Sequence, residues 1–452
     1  MNVNSKSGQR IIERGRVYAA VAAACLAAPA IHAQPVGVGT NAEEVTEIGI
    51  AFGAGRSDNV LRQGANESAG TYASLGAQMD IVRTRPRFNV AVAGDIEYRD
   101  YTTDGFDAER VGIIDASLEA LAVPDRFSWY VGGRGGQGRT DPFGVESPEN
   151  RENIDIYETG PRVTLPFGQR TSAELSATAG RRYFEVSSSL DSATTDVEAG
   201  LYRVLSPTSQ LGLVVSTRST EYDLSIYDND VERAYLAYTK EFATGSAALS
   251  VGSNRVDNGT SVETGPYLFA QWQRRVGARS VFTTTLMNQY VDAADNIDYE
   301  RLIVFGGDPG GLDSSVLLSQ DVYESTDLLT SLTINGTRTT VTFGASLGEA
   351  RYMTDFALDN DVINLSAVVE RDMSSRMALG FEFDYAHRDF VLGPQEDDDK
   401  FIRLWLQREF SGPFSGRLGF GHNARSGNET ADYDENVWTL GFQYDIRSSG
   451  GA

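Results

Sequence analysis

Arg87-Phe88-Asn89-Val90-Ala91-Val92-Ala93-Gly94-Asp95-Ile96-Glu97-Tyr98-Arg99 is the stretch that decides the fold. Phe88, Val90, Val92, Ile96 and Tyr98 fall on one face, and Asn89, Asp95, Glu97 and Arg99 on the other. A period of two is the signature of a β-strand with one apolar and one polar side. The segment from Arg376 repeats it, with Met377, Leu379, Phe381, Phe383 and Tyr385 opposite Glu382 and Asp384. The same theme runs from Thr46 to Ile446 and predicts about 20 strands, with 18 as the lower reading.

The breaks between these segments alternate in length. Short turns fall at 83–86, 123–126, 165–170, 206–209, 242–246, 275–280, 335–338, 372–376 and 411–415; the longer, acidic breaks include 139–153, 292–322, 390–400 and 425–435. A transmembrane antiparallel up-and-down β-barrel with both termini in the periplasm requires this sorting. The apolar face also carries aromatics toward both ends. Phe88, Phe127, Trp129, Tyr238, Trp272, Phe410 and Tyr444 mark one rim, and Tyr98, Tyr290, Tyr385 and Trp438 the other. Two aromatic girdles are expected of a barrel in a bilayer. A soluble sandwich would alternate too, but has no need of such long strands or of girdles.

Residues 1–33 read as a signal peptide: Lys6, Arg10, Arg14 and Arg16 precede the apolar stretch Val17–Ala30, and cleavage is expected near Ala33. The single cysteine, Cys25, lies within it, so the mature chain has no thiol for disulfides or metal. Residues 34–45 read as a short periplasmic leader, 46–446 as the barrel and 447–452 as a tail; the leader is too short to be a plug domain. A formal net charge of −24 excludes nucleic acid as a natural partner. The expected place is the cell outer membrane, among its lipid and lipopolysaccharide.

The final strand, Val437–Ile446, resembles the C-terminal signal that the barrel assembly machinery reads, with Thr439, Gly441, Tyr444 and Ile446 at its positions. No catalytic constellation is expected. His387 and His422 share the parity of the apolar face, and paired lumen acids are what a wide wet channel needs. The acids Glu396–Asp399, Asp228, Asp230, Asp432 and Asp434 are expected in loops as a solvated rim, with no calcium-loop spacing; neither metal nor cofactor is expected. The stretch 301–315, with Leu302–Phe305 at its heart and Gly306-Gly307 and Gly310-Gly311 after it, is expected either to fold into the mouth or to extend above it.

Arg56-Ser57-Asp58-Asn59-Val60 and Tyr157–Gly168 carry a resemblance to the outer-membrane barrels associated with exopolysaccharide synthesis and exosortase (PEP-CTERM) systems. That resemblance implies a barrel serving polysaccharide export or secretion, with periplasmic export components as partners and no catalytic residues. The polar face independently offers Arg99, Tyr130, Tyr202, Arg233, Tyr235, Tyr267, Arg403 and Trp405, whose rings and charges suit sugars. The same residues would line a diffusion porin for small solutes, and a structural or adhesive barrel without transport is the third reading.

Overall fold

The computed structural model describes residues 45–64, 67–102, 106–141, 143–145, 147–223, 228–292, 319, 321–393, 395–410, 412–428 and 432–447. The expected signal peptide, most of the leader, the tail beyond 447 and the stretch 301–315 lie outside the described residues.

Twenty strands form one closed antiparallel barrel. They are β1 (Val45–Ser57), β2 (Gly70–Arg85), β3 (Phe88–Tyr101), β4 (Glu109–Val123), β5 (Phe127–Gly138), β6 (Glu152–Pro166) and β7 (Thr171–Phe184). There follow β8 (Ser192–Ser206), β9 (Ser209–Tyr222), β10 (Asn229–Phe242), β11 (Gly245–Asp257), β12 (Val262–Arg275), β13 (Ser280–Val291) and β14 (Tyr323–Asn335). The last are β15 (Thr339–Tyr352), β16 (Asn360–Ser374), β17 (Met377–Phe390), β18 (Glu396–Glu409), β19 (Phe414–Gly427) and β20 (Tyr433–Arg447). Each strand pairs with its neighbours in sequence, and β1 pairs with β20 over eleven positions, so the sheet has no free outer edge.

Turns at one end are two to four residues long, and connections at the other run from four to 31. All nine short breaks expected from the sequence are strand-to-strand turns. In one of them Gly168 sits at φ +88°, a conformation open to glycine. Twenty strands about 4.8 Å apart and tilted by roughly 40° enclose a backbone cylinder about 40 Å across. Wall side chains alone cannot fill that width.

The outward face is apolar. One row runs Leu201, Leu213, Leu236, Val251 and Leu268 across β8 to β12, and another runs Leu379, Leu406, Leu418 and Leu440 across β17 to β20. Leu213 and Leu236 are more than half exposed. In water such a belt would drive aggregation; facing lipid, it is the stable arrangement. Phe88, Trp129, Trp272, Phe410 and Tyr444 ring the short-turn end on this face, and Tyr98 and Trp438 the other. No helix among the described residues is long and apolar enough to cross a membrane.

Tyr290 departs from the sequence expectation. It is 4 % exposed and packs with Val231, Val256, Val322 and Met353 rather than standing in the outer girdle. The cause is a local break in the wall. β12 and β13 pair over only eight positions, ending at Leu268 and Asn288, and the upper end of β13 turns inward. The face that parity assigns to lipid therefore meets the inner surface of β10 and β11.

Candidate functional site: the lumen and its outer mouth

Parity along each strand sorts the inner wall into two panels. On one side, ion pairs climb the wall: Arg99 with Glu97 at 2.8 Å, Arg134 with Asp115 at 3.1 Å, Arg162 with Glu119 at 3.4 Å and Arg218 with Asp196 at 3.2 Å. Across the lumen, β11 to β16 present mostly hydroxyls and amides, among them Gln271 opposite Thr285, Thr283 opposite Ser331, and Asn364 donating to Ser346 Oγ at 2.9 Å, interspersed with the acids Asp327, Glu370 and Asp372. Between the panels, where the barrel closes, side chains shrink. The inner face of β1 is Gly49, Ala51, Gly53 and Gly55, and one pairing row reads Arg417, Gly441, Gly53, Ser74, Arg99.

All eight residues expected on the polar face point inward, but they do not converge on one site. Arg99 lies over the Tyr72 ring at 5.0 Å, and half-buried Tyr130 leans on Gly132. Tyr202, Tyr235 and Tyr267 form one cluster with Val214 and Ala237, with Tyr235 and Tyr267 centroids 4.7 Å apart and Arg233 5.9 Å from the Tyr267 ring. On β18, Arg403 pairs with Glu382 at 2.5 Å and lies 5.3 Å from the Trp405 ring, which Arg417 approaches to 5.0 Å.

The aromatic members are wall pieces rather than platforms standing in water. Tyr202, Tyr235 and Tyr267 are 2–3 % exposed and Trp405 7 %. Trp405 sits between cross-strand Gly380 and Gly419, Tyr202 beside Gly212, Tyr130 beside Gly160 and Tyr72 beside Gly55. A Cβ added at Gly380 would collide with the Trp405 ring, and one at Gly212 with that of Tyr202. The glycine opposite each ring is the signal that single-strand parity misses. It becomes visible only once strands are set in register.

The outer mouth is crossed by contacts between strands that are not neighbours. The connection 139–151, between β5 and β6, reaches β17–β19. Phe143 packs on Phe390 with centroids 5.0 Å apart, Phe143 O accepts from Gln395 Nε2 at 3.3 Å, and Gly144 O accepts from Arg425 Nη1 at 3.4 Å. Beneath it Arg425 forms a two-pronged ion pair with Asp399 at 2.7 and 2.5 Å, within a buried group that includes Arg139, Arg388 and Asp397. Farther round, Arg182 of β7 pairs with Asp292 beyond β13 at 2.6 Å, both almost wholly buried.

The acid-rich stretches need correction here. Glu396–Asp399 open β18 rather than forming a loop, and Asp397 and Asp399 point inward and are buried with arginine. Asp230 and Asp434 likewise lie in β10 and β20. A run of charges looks solvated in sequence, whereas Arg425, 26 positions from Asp399 and on another strand, supplies a neutralising partner. Asp228 and Asp432 do lie in connections and cap the backbone N–H groups of Tyr222 and Gly427. His387 and His422 are on the outer face; His387 Nδ1 lies 3.1 Å from Asp398, which also accepts from Tyr385 at 2.5 Å.

The two stretches that carry the family resemblance have structural tasks. Ser57 Oγ donates to Glu435 at 2.6 Å, Asp58 accepts from Asn436 twice, and Asn59 Nδ2 donates to the Asp434 carbonyl at 3.0 Å. Arg56–Val60 thus clasps β1 to β20 at the outer end of the closing pair. In Tyr157–Gly168, Gly160 and Pro161 have no pairing partner on β7, and a Cβ on Gly160 would strike the Ala177 carbonyl. Within the expected assembly signal, Thr439 and Gly441 face inward, while Tyr444 and Ile446 face outward opposite Ile50 and Ile48.

No known protein family matches the sequence, nor does any curated protein. Among solved structures, the barrel is similar to the FrpB iron transporter from Neisseria meningitidis, at 9 % identity over 88 % of this chain and 82 % of that one, with a TM-score of 0.42. It is similar to a ferric enterobactin receptor from Pseudomonas aeruginosa, at 10 % identity over 88 % and 81 % of the two chains, TM-score 0.46. A third is OccAB4 from Acinetobacter baumannii, at 10 % identity over 90 % of this chain and 100 % of that one, TM-score 0.36. These likenesses are of barrel form and say nothing of cargo. The chain is a closed barrel of 20 antiparallel strands whose outward apolar belt and aromatic rims are those of a membrane-spanning β-barrel.

Proposed function

We propose that this barrel takes part in exopolysaccharide export, its lumen serving as the glycan path between the ion-pair panel and the hydroxyl-amide panel. The observation that carries this reading is the facing of the two panels. A moving polymer of sugars needs many weak, replaceable hydrogen bonds, and a wall of Ser, Thr, Asn and Gln supplies them without a tight site. Arg99, Tyr130 and Arg403 remain the contacts of choice on the charged side. Tyr202, Tyr235, Tyr267 and Trp405 act by shaping the wall. The crossed mouth favours a path opened on demand, by periplasmic export components or by the polymer itself, over a permanently open porin.

A deletion strain tests this. Surface carbohydrate should fall while uptake of a small charged solute stays near normal. Normal carbohydrate with slowed uptake would establish the porin in its place, and both normal would leave a structural barrel.

A further inference from the structure

The strand pairing of the wall is shortest between β12 and β13. β12 and β13 pair over eight positions, against 13 between β11 and β12 and 12 between β13 and β14. Above Leu268 the β12 segment Val262–Tyr267 has no strand-pairing partner on its β13 side among the described residues. Counting up from Trp272 in the inner girdle at about 2.5 Å of height per tilted residue, that segment lies at the level of the outer leaflet.

An exposed strand edge in lipid is costly, and this one is prepared for exposure. Pro266 has no N–H to leave unmet. The carbonyls of Gly265 and Pro266 accept from Ser253 Oγ at 3.3 Å and Asn254 Nδ2 at 3.2 Å, both on β11. Polar side chains span both shortened pairings: between β4 and β5, Gln137 donates to the Arg110 carbonyl and Arg110 pairs with Asp155 at 2.9 Å, and between β12 and β13 the Tyr290 hydroxyl donates to Glu263. Behind the β12–β13 gap stands one of the buried apolar clusters of the barrel, made of Val231, Val256, Tyr290, Val322 and Met353. Tyr290 closes the gap from within, beside Gly265, where any larger residue would meet its ring.

We propose that this break is a lateral portal, through which the acyl chain of an outer-leaflet amphiphile enters from the membrane and lodges against the apolar cluster. The edge gives the chain a passage, the cluster gives it an apolar berth, and Met353 supplies a side chain that repacks at low cost. Tyr290 is the gate residue. A headgroup that followed the chain would come to rest among Glu263 of β12 and Arg233, whose Nη2 donates to the Tyr290 carbonyl at 3.0 Å.

The test uses the full barrel in vesicles of phosphatidylethanolamine and phosphatidylglycerol doped with a phospholipid bearing a diazirine in its acyl chain. After illumination, adducts are mapped by mass spectrometry. The portal predicts adducts on Val256, Tyr290 or Met353, which belt lipid cannot reach, and a several-fold rise at Val256 and Met353 in Tyr290→Ala. Heat-modifiability confirms that the variant folds. Adducts confined to belt residues such as Leu268 and Trp272, in both proteins, would overturn the proposal.

Discussion

At the scale of single residues, the barrel is governed by which side of the wall a side chain faces and by what stands opposite it. Phe381 faces lipid in mid-strand beside Leu404, while Ser331 faces the lumen on the hydroxyl-amide panel beside Gly344. Phe381→Arg should lower folding stability in lipid vesicles by about 2–4 kcal/mol, and Ser331→Arg by less than about 1 kcal/mol, both read from urea titrations. Equal losses would mean that the faces are misassigned. Parity alone also makes Glu382→Arg look harmless, because Glu382 faces inward. The structure reverses that expectation, since Glu382 is 1 % exposed and bound to Arg403. Replacing it with a second guanidinium should cost about 3–5 kcal/mol, whereas Glu382→Ala made together with Arg403→Met should recover most of the loss. Failure of the double variant to recover would show that the pair is not what holds this site.

At the scale of elements, strands and short turns were legible in the sequence because both rest on local rules, alternation for the one and turn chemistry for the other. What stayed hidden depends on register. The Gly380–Trp405 and Gly212–Tyr202 contacts join different strands, as does the neutralisation of Asp399 by Arg425. Tyr290 was misread for the same reason: alternation identifies a face, but not a strand that leaves the wall. Gly380→Ala, with no room for a methyl against the indole, should lower the urea midpoint by the equivalent of about 1–3 kcal/mol and shift tryptophan emission. An unchanged midpoint and spectrum would contradict the packing of Trp405 on Gly380. The last strand carries both the closing pairs to β1 and the residues Thr439, Gly441, Tyr444 and Ile446. A chain ending after Asp434 should therefore fail to reach the outer membrane as a folded, heat-modifiable species, and a folded product would rule out β20 as the closing and assembly element.

At the scale of the whole molecule, the outward belt, the divided lumen and the crossed mouth describe a wide polar barrel whose outer end is spanned by the connection 139–151. The candidate lumen residues were legible one by one, because inward parity survives in almost every strand. Their grouping was not, nor was the connection that covers them, because 139–151 carries no apolar run or motif to announce its docking on β17–β19. Current through the barrel in a planar bilayer tests this account most directly. The intact protein should be nearly silent. A variant in which residues 140–149 are replaced by a short glycine-serine linker should carry steady current at least several-fold larger. Equal currents from the two proteins, whether both open or both silent, would contradict closure of the mouth by this connection.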